Sequence, residues 1–122
     1  MNERPSGSAT TIRWFAQATL GIALVLLLAI HLIVNHWVAP QGLLTYADIV
    51  RYYDVAGIAW MEAIFLIVVT VHCALGMHSI LLDLNFGQRL TSALTTFLVL
   101  VAGIAITYGL WLIRTIVLLS VA

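Results

Sequence analysis

Polar and apolar positions along this chain fall into long blocks, not short alternations. No charged residue lies between Arg13 and Asp48, between Glu62 and Asp83, or between Arg89 and Arg114. A membrane-crossing helix needs roughly 20 mainly apolar residues, so each block has room for one span. The pattern predicts spans over about 14–38, 55–82 and 90–113, and an all-α integral membrane fold of three helices. The first apolar run, Trp14 to Val38, is too long for a signal-peptide core of about 7–15 residues, so it reads as a retained span.

Punctuation between the blocks agrees. Residues 1–12 (MNERPSGSATTI) are polar and rich in Ser, Thr, Gly and Pro, and read as a flexible tail ahead of a membrane domain over 13–122. Ala39-Pro40-Gln41-Gly42 stops the first span. Leu43 to Asp54 contains Tyr46, Asp48, Arg51, Tyr52 and Tyr53, a composition suited to a short amphipathic stretch at the interface. Asp83 to Arg89 (DLNFGQR) reads as a tight turn. Trp14, Trp37, Trp60, Tyr108 and Trp111 sit near span ends, as an aromatic belt would. Arg114 would snorkel at the far end of span three. There, Gly103/Thr107 and Ala105/Gly109 would permit close helix packing.

Composition narrows the function. Of 122 residues 63% are apolar and 8% charged, with formal net charge zero and no lysine. Five scattered arginines form no basic patch, which argues against nucleic-acid binding. The single Cys73 excludes an internal disulfide, and no CxxC or CxxCH is present for an iron–sulfur cluster or covalent haem. No Gly-rich phosphate loop follows a strand. Any enzyme chemistry must rest largely on other chains. Arg4, Arg13 and Arg89 fall on one side of the membrane and Arg51 and Arg114 on the other, which favours a cytoplasmic N-terminus.

Four histidines are the main chemical signal: His31, His36, His72 and His78. His36 and His78 lie near span ends, where a histidine costs little. His31 and His72 lie roughly 10 Å and 16 Å inside their span ends at about 1.5 Å rise per residue, and at different depths. Neither helix chelates a metal by itself, because the pairs 31/36 and 72/78 point about 140° and 120° apart at about 100° per residue. Each deep histidine suits a separate axial position on a b-type haem, opposed by a ligand from a second chain. Hydrogen bonding to a neighbouring helix as polar glue is an equal alternative on spacing alone. Gly76, one turn from His72, would leave room for a flat porphyrin. Asp83, about 20° off the His72 face at about 100° per residue, would shuttle protons, orient a quinone head group or anchor the helix end. Glu62, near the outer face, reads as an interfacial group.

The stretch His72-Cys-Ala-Leu-Gly76-Met-His-Ser-Ile-Leu-Leu-Asp83 resembles the second-helix motif of the hydrophobic membrane anchor subunits of succinate dehydrogenase, respiratory complex II. Length, span number and the long first connection are similar over roughly Thr11 to Ile113. The resemblance is to the D-type anchor, since Met77-His78 stands where C-type anchors have Arg-His. It implies a three-helix anchor within a larger helix bundle shared with a second anchor subunit. It also implies one or two b haems shared with that subunit, a quinone substrate, and attachment to iron–sulfur and flavoprotein subunits. His72 matches the ligand of the inner haem, and His31, 41 residues earlier, the ligand of the outer one. Arg13 is similar to the basic residue that pairs with a haem propionate, and Asp83 to the acidic residue beside the quinone. Leu84 departs from the tyrosine that often follows that Asp and offers no phenolic hydrogen bond to a quinone. The resemblance places the chain in a bacterial or archaeal plasma membrane. Two alternatives stand beside it: a haem-free structural subunit of a respiratory complex, and a small transporter using Glu62.

Overall fold

A computed structural model describes residues 7–43 and 45–120. Four helices follow in order: α1 (Gly7–Val38), α2 (Tyr46–Tyr53), α3 (Ile58–Asp83) and α4 (Gln88–Ser120). There is no strand among the described residues. α1, α3 and α4 are each long and apolar enough to cross a membrane. Helices are the natural solution there, because every backbone group is satisfied within the segment. The few hydroxyls on these helices follow the same logic. Thr11, Ser79, Thr96, Thr107 and Thr115 each donate to the carbonyl four residues earlier.

Two helices run further than the sequence pattern suggests. α1 begins at Gly7, so residues 7–12 of the expected tail are helical, while residues 1–6 lie outside the described residues. Ser and Thr are only mildly unfavourable in helices, and no Pro interrupts the segment after Pro5. α4 continues past Arg114 to Ser120, since Thr115 to Ser120 contains no Gly or Pro to stop it. Arg114 is therefore an exposed residue of the helix and not its terminus. The final two residues of the expected 13–122 domain lie outside the described residues.

The interfacial stretch is α2. Thr45 caps it: its hydroxyl accepts from the Asp48 N–H, and the Asp48 carboxylate accepts from the Thr45 N–H at 2.9 Å. This reciprocal box satisfies two donors at the helix start. Gly57, at φ 89°, makes the left-handed turn that launches α3. At the opposite end, Asn85 adopts φ 49° in the four residues that join α3 to α4. Asn tolerates that region better than most side chains.

α3 is the central helix, packed on one side by α1 and on the other by α4, while α2 rests chiefly on α4. Among the described residues only Tyr52 and Ile58 are fully buried, each 3% exposed. Three helices in a row enclose little interior, so most apolar side chains face outward, as in a bundle whose solvent is lipid or other chains.

Candidate functional site

The two seams on α3 differ in chemistry. The α3–α4 seam is apolar and close. A Cβ on Gly109 would run into the Leu66 side chain, so this glycine sets the approach of the two helices. Gly103 has nothing within contact range of a Cβ, and the expected Gly103/Thr107 pair faces outward.

The α1–α3 seam holds the polar groups. Near the α2 end, His31 Nδ1 and Glu62 Oε1 are 2.9 Å apart. Tyr52, from α2, donates its hydroxyl to the same carboxylate oxygen at 2.7 Å. Three elements converge on one oxygen, and the Glu62 side chain is left 13% exposed. His31 stacks on Phe65, one turn beyond Glu62, with ring centroids 5.1 Å apart. The Asn35 amide nitrogen lies 3.0 Å from His31 Nε2 and 3.3 Å from Nδ1, and also donates to the His31 carbonyl. Such near-equal distances place it over the ring face, not in the plane where the Nε2 lone pair points. Glu62 is thus a bonding partner of both His31 and Tyr52, at the end of α3 next to α2. Finding it required the register between α1 and α3, which no local pattern carries.

These contacts hold the Tyr52 phenol well above its ordinary pKa. Burial is the main cause, followed by its hydrogen bond to Glu62 and the carboxylate's charge. Tyr53, packed edge-on against Tyr52 at 5.5 Å, is raised as well, by burial and then by Glu62.

Deeper along the same seam, two glycines and two polar side chains interlock. A Cβ on Gly21 would stand 3.3 Å from His72 Cε1 and 3.9 Å from its Nδ1, so the histidine fills a notch in α1. A Cβ on Gly76 would stand 3.1 Å from Gln17 Nε2, so the glutamine fills a notch in α3. Gly76 thus borders a flexible amide from α1 within this chain. His72 Nδ1 and Gln17 Oε1 are both buried without a hydrogen-bond partner. His72 Nε2 is not closed off in this way. Gln17 was not anticipated; a lone amide in a span's first half gives little signal. His72 is level with Gly21, ten residues before His31, so the two histidines are separated by ~15 Å along the seam at about 1.5 Å per residue.

The other candidates are more peripheral. Arg13 lies on α1 one turn before Gln17, half-buried and without an ion pair among the described residues. Asp83 is the exposed last residue of α3. His36 is exposed and His78 half-buried. No group of three or more His, Cys, Asp or Glu converges among the described residues, so any iron held here would take its ligands singly.

With that arrangement in view, the comparisons with known proteins are decisive about kinship. The family model described as succinate dehydrogenase/fumarate reductase transmembrane subunit matches residues 4–111. The chain belongs to that family. It is also 30% identical over 105 residues to the succinate dehydrogenase hydrophobic membrane anchor subunit of Archaeoglobus fulgidus, covering 86% of this chain and 89% of that protein. No solved structure matches. As a succinate dehydrogenase/fumarate reductase anchor, the protein is an integral membrane subunit of a larger complex.

Proposed function

We propose that this anchor subunit holds one side of two b haems through His72 and His31, and borders a quinone site at Asp83. A second anchor subunit would supply the opposing ligands, and the assembly would tether iron–sulfur and flavoprotein subunits to the plasma membrane. When bound, haem b supplies one-electron transfer within the bilayer.

The observation that carries this reading is the position of both deep histidines on one seam at two depths, His72 with no partner on Nε2 among the described residues and His31 with only the Asn35 amide, 3.0 Å from Nε2. His31 turns Nδ1 to Glu62. His72 turns its Cε1–Nδ1 edge into the Gly21 notch. A carboxylate on the second nitrogen is a common support for a metal-ligating histidine. Gly76 keeps α3 low beside His72, and only the flexible Gln17 amide stands in its notch. Arg13, at the same end of the seam, is available to a propionate. Asp83 offers a carboxylate at the membrane boundary for a quinone head group. The arginine distribution, three against two, favours a cytoplasmic N-terminus and 84–87 turn.

The test is the reduced-minus-oxidised spectrum of the complex purified through this chain, with haem content. His72→Ala should remove one b haem and His31→Ala the other. Unchanged haem in both variants would sink the assignment. A haem-free native complex with intact succinate–quinone activity would make both histidines seam contacts, a reading the internal His31–Glu62 bond also favours.

A further inference from the structure

We propose that Glu62 is a positioning residue for His31 as an iron ligand, and that it lowers the redox potential of that haem and not the other. The inference rests on the haem reading above and assigns a role to a carboxylate that the reading leaves unused.

Glu62 holds the one carboxylate of the described seam, and an ionisable group inside a span is a functional candidate by default. Its placement is specific. Oε1 lies 2.9 Å from His31 Nδ1 and 2.7 Å from the Tyr52 hydroxyl. With the Nδ1 proton donated to the carboxylate, the lone pair of His31 resides on Nε2. Phe65 against the ring and the Asn35 amide over its face fix the plane in which that lone pair points. Carboxylate acceptance at the second nitrogen makes an imidazole a more electron-rich ligand. Electron-rich ligation and a nearby anion in low dielectric both favour the oxidised, more positive iron. The potential therefore falls. Tyr52 works in the opposite direction, because its hydroxyl shares the acceptor oxygen and weakens the carboxylate's pull on the His31 proton. His72 has no such partner: its Nδ1 is buried and unpaired. The two haems are thus differentiated within this chain.

Redox titration of the purified complex, followed in the b-haem spectrum, tests this. Glu62→Gln keeps an acceptor for the Nδ1 proton but removes the charge. It should raise the midpoint of one haem component and leave the other in place. Glu62→Leu should do the same more strongly, with partial loss of that component. Tyr52→Phe should move the same component down, and it keeps the test alive should the Glu62 variants fail to assemble. Unchanged potentials in the Glu62 variants, equal shifts of both components, or an upward shift in Tyr52→Phe would overturn the role of Glu62. His31→Ala separates the two levels. Full haem content in that variant overturns the ligand reading itself, and with it this inference. Loss of one haem beside unresponsive Glu62 variants overturns only the inference.

Discussion

Gln17 and Gly76 interlock across the α1–α3 seam, with the Gln17 Nε2 3.1 Å from the point that a Gly76 Cβ would occupy. One turn along, the roles of the helices reverse, and His72 enters a notch at Gly21. The two glycines are not equivalent. A methyl on Gly76 meets the far end of a flexible side chain, whereas a methyl on Gly21 meets a ring with little freedom. Both Gly76→Ala and Gly21→Ala should perturb the component dependent on His72, Gly76→Ala less because the Gln17 amide can swing aside and Gly21→Ala more because the ring cannot. Comparing the two variants by reduced-minus-oxidised spectroscopy checks this. Equal responses would contradict it.

Gly109 controls the other seam. Gly109→Ala drives a methyl into Leu66 and should destabilise the subunit by about 1–3 kcal/mol, the usual penalty of overpacking. Adding Leu66→Ala should recover part of that loss, because the pair shares one contact. A double-mutant cycle on thermal stability of the purified complex reads the coupling; strict additivity would mean that the helices shift to absorb the methyl.

The cap on α2 is a separable element. Thr45→Ala removes the hydroxyl that accepts from Asp48 N–H and should weaken the helix start by about 0.5–2 kcal/mol. Faster amide exchange confined to residues 46–53, with α3 and α4 unchanged, is the expected signature. Uniform exchange across the chain would mean that the cap supports more than α2.

Alkaline pH should weaken the junction of α2 and α3. Tyr52 is held above its ordinary pKa, mainly by burial and then by Glu62. The folded state therefore retains the phenolic proton more tightly than the unfolded chain does. That stabilisation is fully present below the unfolded value of about 10 and is lost as pH rises through the folded value. Tyrosinate absorbance should include late components from Tyr52 and Tyr53, reduced by one tyrosine in Tyr52→Phe. A Tyr52→Phe titration identical to native would contradict the linkage.

Much of the fold is legible in the sequence because charge is so rare. The uncharged blocks after Arg13, Glu62 and Arg89 mark three long helices, and the structure has them. Their ends are less legible. Nothing in GSATTI or after Arg114 forces a stop, so α1 and α4 extend further. The Thr45–Asp48 box has the spacing of a capping box but carries Asp in place of Glu or Gln, and it was not anticipated. The depth of His31 and His72 follows from residue counting, but their partners do not. Glu62 meets His31 only through the register of two helices separated by the 39–57 connection. Gln17 opposite Gly76 depends on the same register.

The contrast between the two seams has a consequence for how the chain is put together. α3 and α4 are joined by four residues and meet through an apolar contact at Leu66 and Gly109. A short tether and a contact needing no polar partner favour their pairing as soon as both are in the bilayer. α1 is held by the longer 39–57 connection and brings Gln17, His31 and Asn35 to its seam. Its docking is therefore expected later, with His72 open on α3 until then. Cysteine crosslinking across each seam during insertion should show α3–α4 links before α1–α3 links. The window between them is a time at which a flat, iron-bearing ligand could reach α3 without prising apart a finished bundle.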